Sequence, residues 1–150
     1  MRMQPVTSPR DHRLIYLLNV AQRRVQRALA ATSADAVPPA QAGLLFVLGK
    51  QDGVLMGEAG AALDLGPAGI SGLVDRMSAT GLVERHADEK DARASRIFLT
   101  AKGRKTLVRA KDVARATNAR LAEGFSPQEI DIVARWLTGI QSKFPKGDGE

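Results

Sequence analysis

Residues 84–100 read "ERHADEKDARASRIFLT", and this stretch restricts the architecture more than any bulk property of the chain. Two short runs mixing apolar and polar residues, "GLVERH" and "SRIFLT", flank "ADEKDARA". The flanks read as strands. The middle is nearly all charge and contains no Gly, Pro or Asn for a tight turn, so the expected element is a β-hairpin with a charged tip. Everything around it has helical periodicity.

Leu14, Leu18, Ala21, Val25 and Ala28 recur at spacings of four and three, with Leu17 widening the stripe and Arg23, Arg24 and Arg27 falling largely off it. The spacing predicts an amphipathic helix over 8–31. "TSADAVPP" ends it, and Pro38–Pro39 start a second helix carrying Leu44, Leu45, Val47 and Leu48 that stops near "GKQDG". "MGEAGAALDL" is small and Ala-rich, suited to a short helix packed closely on a neighbour. "GPAGISGLVDRMSATG" predicts another, with Gly66 as cap, Pro67 at the first helical position and Gly81 at the end; Ile70, Leu73, Val74 and Met77 give its apolar face. After the hairpin, Thr100 is an N-cap for a helix with Leu107, Ala110, Ala114, Thr117, Leu121 and Phe125 on one stripe. "SPQE" is a capping box, Ser126 with Glu129, around Pro127. The helix after it bears Ile130, Val133, Trp136, Leu137 and Ile140, and "PKGDGE" is a polar tail.

The expected fold is therefore mainly α with a small β-hairpin wing. Two short helices, a tight connection and a hairpin form a winged helix-turn-helix, with a helical dimerisation region around it. The second short helix is the one that would enter a major groove.

Composition agrees. The net charge is +6 with a sequence pI of about 10.2, which favours phosphate-bearing partners. Residues 1–31 carry six Arg against Asp11, and residues 67–106 carry eight basic against five acidic groups. The excess thus sits at the N-terminus and around the hairpin. Aromatics make up only 4%, too few for a base-stacking surface that grips single strands. Cysteine is absent, which excludes disulfides, zinc–thiolate sites and thiol redox sensing and fits the cytoplasm. "LIYLLNVA" is not read as a secretion signal, because "QRRVQR" follows it, and no apolar run approaches the length of a membrane span.

Residues 55–105 closely resemble the MarR family of bacterial transcription regulators. The resemblance rests on Leu73-Val74-Asp75-Arg76-Met77, on Gly81-Leu82-Val83 with Arg85, on Asp91 with Arg93, and on Leu99-Thr100 with Gly103. It implies one domain over 1–150, with dimerisation helices over 8–35 and 106–143, a DNA-binding lobe over 38–105 and a polar tail over 144–150. It further implies a cytoplasmic homodimer binding a palindromic duplex, as a repressor, relieved by a small aromatic or phenolic ligand. No cofactor, metal or membrane partner is implied, and no ligand-site residue is assigned.

On this resemblance the DNA-facing candidates are Pro67, Ala68, Gly69, Ser71 and Gly72 in the first turns of the recognition helix, then Arg76, Arg85, Asp91, Arg93 and Arg96. Arg93 would enter the minor groove, where negative potential attracts arginine. Asp91 would hold the loop or orient that arginine. Arg76 would reach a phosphate or base, or else pair with Asp75 or Glu84. Arg85 and Arg96 would contact phosphate or form surface ion pairs. The dimer-interface candidates are Leu14, Leu17, Leu18, Leu121, Trp136, Leu137 and Ile140. Two positions depart from the family pattern: Gly72 and Ala92 stand where arginines are frequent. Glycines at 69 and 72 each cost a helix about 1 kcal/mol relative to alanine. Either they let the backbone approach the duplex or they are simply tolerated.

Other function classes find less support. His12 and His86 are far apart and belong to no metal-spaced cluster, and no nucleophile elbow, P-loop or dinucleotide fingerprint is present. An enzyme is not expected. An architectural DNA binder without an effector, and an interaction module that has lost DNA binding, remain open. Arg76, Arg93 and the basic charge speak against the second, Gly72 and Ala92 for it.

Overall fold

The computed structural model describes residues 13–32 and 36–145. Arg10, His12, the start of the expected first helix, part of the following linker and the end of the tail lie outside the described residues. The chain divides into two compact units, Met1–Pro39 and Ala40–Glu150.

The first unit contains α1 (Leu14–Ala31). Its N-cap, Arg13, adopts φ 47°, and the Arg13 guanidinium lies 4.6 Å from the centroid of the Tyr16 ring. No α1 residue is buried, and Leu14, Leu17 and Leu18 on the apolar stripe are exposed.

The second unit runs α2 (Pro39–Lys50), β1 (Val54–Leu55), α3 (Met56–Ala62), α4 (Pro67–Ala79), β2 (Val83–Ala87), β3 (Ser95–Leu99), α5 (Ala101–Ala122) and α6 (Pro127–Lys143). The strands form one antiparallel sheet in the order β1-β3-β2, with Val54 opposite Ile97, Val83 opposite Leu99 and His86 opposite Arg96. Strand β1 adds a third strand to the expected hairpin. Two residues are too few to display an alternating pattern, and the strand exists because its approach is pinned by Gly53 N–H donating to the Ile97 carbonyl at 2.9 Å.

Local chemistry accounts for the helix ends. Pro67 occupies the first turn of α4, where its missing N–H costs nothing. The helix closes in a Schellman motif: Gly81 has φ 74°, its N–H donates to Ser78 at 3.0 Å, and Leu82 N–H donates to Met77 at 2.9 Å. Helix α3 ends the same way with Asp64 at φ 57°, which makes the sharp connection to α4. Ser126 accepts from Glu129 N–H at 3.2 Å while the Glu129 carboxylate accepts from Ser126 N–H at 2.8 Å.

One core holds the lobe. Leu44, Leu45 and Leu48 from α2 meet Ile70, Leu73, Val74 and Met77 from α4, with Val54, Ala59, Val83, Ile97 and Leu107 closing the gaps. Each fully buried Leu, Ile, Val or Met contributes roughly 1.5–3 kcal/mol, and α4 supplies four of them, so its opposite face is held outward. The α5 stripe divides: Leu107 is core, whereas Leu121 at the other end is exposed, as is Phe125 just past it. In α6 no residue is buried.

Candidate nucleic-acid interface

The buried positions of α4 recur at threes and fours, so the other positions form its free face. Pro67, Ala68 and Gly69 are exposed, Ser71 and Gly72 half-buried, and Arg76 exposed. A Cβ on Gly69 would make only ordinary contact with the Leu65 side chain, at 3.5 Å. On Gly72 it would meet nothing within 4 Å except the Arg76 guanidinium at 3.4 Å. Packing within the chain therefore requires glycine at neither position, and the Arg76 side chain folds back over the gap that Gly72 leaves.

Arg76 forms no ion pair within 4.0 Å among the described residues. The acids that could have neutralised it are engaged elsewhere: Asp75 with Arg85 at 3.6 Å, and Glu84 with His86 Nε2 at 3.2 Å. His86 also stacks edge-on to Phe98, with centroids 5.4 Å apart. The Asp75–Arg85 pair is solvent-exposed and worth about 0–1 kcal/mol, so it leaves Arg85 able to exchange partners.

The tip of the wing has no turn residue because side-chain carboxylates do the folding. Asp88 N–H donates to the Ala94 carbonyl at 2.9 Å, and Ala94 N–H donates to the Asp91 carbonyl at 3.0 Å. Asp88 Oδ2 accepts from Asp91 N–H at 3.2 Å, and Asp91 Oδ1 accepts from Arg93 N–H at 3.0 Å. Asp91 thus sits where the loop needs an acceptor, and the exposed Arg93 side chain projects from the residue it holds. Asp88 is only 11% exposed, and Arg96 Nε donates to its Oδ1. That hydrogen bond and the Arg96 charge hold the Asp88 carboxyl below the usual carboxylate range, against a smaller opposing effect of burial.

Arg96 takes the ion-pair alternative. Besides Asp88, its Nη1 donates to the Gly53 carbonyl at 2.7 Å. Next to Gly53, Asp52 accepts from Leu99 N–H at 2.8 Å through Oδ1 and from Arg104 at 2.8 Å through Oδ2. The expectations from sequence did not include Asp52, Gly53 or Arg104. These partners lie 43 to 52 positions apart, and no local spacing could have revealed them.

Two open depressions flank the wing. One, of about 470 Å³, is lined by Leu55, Met56, Glu58, Arg85, Arg93 and Ser95. The other, of about 770 Å³, is lined by Asp52, Glu84, His86, Asp88, Arg96 and Arg104 among others. The first joins the wing tip to the start of α3, and Arg85 links it through Asp75 to α4. The second mixes acids and bases, and no group of three metal-binding side chains occurs among the described residues.

A family model described as MarR family matches residues 37–94. A probable transcriptional regulator from Pseudomonas aeruginosa superposes with a TM-score of 0.80 at 26% identity, over 87% of this chain and 98% of that one. A MarR-family transcriptional regulator from Silicibacter pomeroyi gives 0.72 at 27% identity, over 91% and 92%. The transcriptional repressor CouR, solved bound to a 23-mer DNA duplex, gives 0.77 at 30% identity, over 85% and 91%. Among curated proteins none matches. With its element order, the Schellman-capped α4 and the carboxylate-built wing, the chain belongs to the MarR family of transcriptional regulators.

Proposed function

We propose that this protein is a homodimeric repressor that binds a palindromic duplex through α4 and the wing and is released by a small aromatic or phenolic ligand. One observation carries the DNA reading. Arg85 pairs with Asp75 of α4 and shares a groove with Arg93 of the wing tip, which puts the free face of α4 and the wing tip on one side of the lobe. Two arginines on that side, Arg76 and Arg93, are exposed and unpaired among the described residues. Pro67, Ala68, Gly69, Ser71 and Gly72 would then lie along base edges, Arg76 and Arg85 at phosphates, and Arg93 in the minor groove. CouR, with 30% identity, supports the reading through its bound duplex.

Uncovered apolar surface supports the dimer. Leu14, Leu17 and Leu18 of α1, and Leu121, Trp136 and Leu137 of α5 and α6, are exposed, with Ile140 half-buried. A protein that bears this much apolar helix surface needs a partner for it, and a second copy places two recognition helices on two half-sites about 34–36 Å apart. The effector is supported by a relative of the same fold, BpsR of Bordetella bronchiseptica, whose DNA binding is regulated by 6-hydroxynicotinic acid.

The test is fluorescence anisotropy with duplex DNA from upstream of the protein's own gene, against a scrambled duplex, at several salt concentrations. Tight binding to the upstream duplex alone, with a log–log salt slope of several units, is the expected result. Absence of binding to any duplex at low salt would remove the DNA reading.

A further inference from the structure

Arg93 is, with Lys90, an exposed cation of the wing tip, yet its own side chain has no ion pair among the described residues to hold it. Its backbone is held instead, and the hold can be traced. Arg93 N–H donates to Asp91 Oδ1 at 3.0 Å, and Asp91 N–H donates to Asp88 Oδ2 at 3.2 Å. Asp88 Oδ1 accepts from Arg96 Nε, and Arg96 Nη1 reaches the Gly53 carbonyl at 2.7 Å. Gly53 lies in the connection from α2 to β1, outside the hairpin, and its neighbour Asp52 ties that connection to Arg104 of α5 at 2.8 Å as well as to Leu99 N–H of β3.

We propose that Arg96 is a positioning residue for DNA recognition, one that fixes the wing tip through Asp88 and Asp91 so that Arg93 is presented to the duplex. This rests on the DNA-binding reading above. The guanidinium suits the task because two separate nitrogens of its planar fork, Nε and Nη1, meet the carboxylate and the carbonyl in a fixed geometry, which the single nitrogen of lysine does not reproduce. The same engagement argues against a direct phosphate contact. Arg96 is 36% exposed and its charge is already matched by a carboxylate that is 11% exposed, so moving it to a phosphate would strand Asp88.

The experiment is a double-mutant cycle on the full chain. The probe is a duplex selected from a random-sequence pool by the wild-type protein, read by anisotropy across a salt series. Arg93→Ala is expected to weaken binding by about five- to 150-fold and lower the salt slope by about one. Arg96→Met, which keeps the aliphatic bulk, is expected to weaken it severalfold. The double variant is expected to match Arg93→Ala within twofold, with no second unit of slope lost. Losses that multiply would overturn the proposal in favour of a direct contact by Arg96. A readout without DNA separates this inference from the one beneath it: in Arg96→Met the amide resonances of Asp91 and Arg93 are expected to shift while those of α2 and α4 stay put. Unmoved tip resonances sink the positioning role and leave DNA binding standing. A wild-type protein that selects no duplex sinks both.

Discussion

The carbonyl oxygen of Leu82 faces Gly103 so closely that a Cβ on Gly103 would collide with it. The glycine of the closing "LT–G" pattern is therefore the residue that lets the first turn of α5 lie against the entry to the hairpin. Thr100 completes the joint: its hydroxyl donates to Gly81 at 2.6 Å and accepts from Gly103 N–H at 2.9 Å. Wing, α4 and α5 meet there.

Gly103→Ala is expected to destabilise the fold despite alanine's better helix propensity. The propensity gain is about 1 kcal/mol. The clash is with backbone that cannot rotate away, which places its cost at the top of the roughly 1–3 kcal/mol typical of overpacking. Urea unfolding at fixed protein concentration should show a lower midpoint, and an unchanged or higher midpoint would contradict the tight joint.

At Gly72 the opposite sign is expected. The only neighbour of an added Cβ is the mobile end of Arg76 at 3.4 Å, so Gly72→Ala should raise stability by up to about 1 kcal/mol. Thermal unfolding checks this. Operator affinity measured on the same variant then decides why glycine stands there: a loss assigns it to close approach of the duplex, and no change assigns it to tolerance.

Arg93→Ala is expected to weaken operator binding by about 1–3 kcal/mol while leaving the melting temperature near that of the wild type. Its guanidinium supports nothing inside the lobe among the described residues. Unaltered affinity and site preference in a folded variant would remove the wing from the binding surface.

Leu137→Asp tests the dimer. Leu137 is 42% exposed in the single chain, so the charge should cost the protomer little. Buried unpaired against a second copy it would cost about 3 kcal/mol or more, roughly a hundredfold or more in association. Sedimentation at micromolar concentration should show a dimer for the wild type and a monomer for the variant. A monomeric wild type would count against the assembly.

The Asp88–Arg96 tie should be insensitive to pH through the physiological range. Arg96 lowers the folded-state pKa of Asp88 below its ordinary value of 3.8. A carboxyl depressed on folding contributes stability that is present above its unfolded pKa and is lost as pH falls through the folded one. Between pH 5 and pH 8 wing geometry should therefore hold. An NMR titration of the Asp88 carboxyl should give a midpoint below 3.8 in the wild type, rising toward it in Arg96→Met.

Much of the candidate interface was legible because its signals are local. Gly66–Pro67 announces the start of α4, Gly81 its end, and Ser126 with Glu129 the start of α6. Each acts through hydrogen bonds or backbone angles spanning only a few residues, so the sequence alone contains both partners. The buried face of α4 was legible for the same reason, and with it the outward set from Pro67 to Arg76. Reading Asp91 and Arg93 as a wing tip needed the family pattern, since spacing alone leaves a charged hairpin without a partner.

Periodicity showed which helix faces are apolar but could not show what covers them. The stripe of α5 is continuous in sequence, yet Leu107 is core and Leu121 is exposed. The charged positions divide in a similar way. Sequence with the family pattern set Arg93 apart as the minor-groove candidate and left Arg76, Arg85 and Arg96 each open between a DNA contact and an ion pair. Folding made them unequal: Arg96 is committed to Asp88 and Gly53, Arg85 is loosely paired with Asp75, and Arg76 and Arg93 are left exposed. The sequence by itself determined the helices, the hairpin and the faces they present, because those depend on near neighbours, whereas the two-residue β1 exists only through its pairing with β3. Only the tertiary structure decided which arginine holds the wing and which ones it leaves exposed, because strand pairing brings Asp88 across the hairpin to Arg96 and folding brings the Gly53 carbonyl to it from 43 positions away.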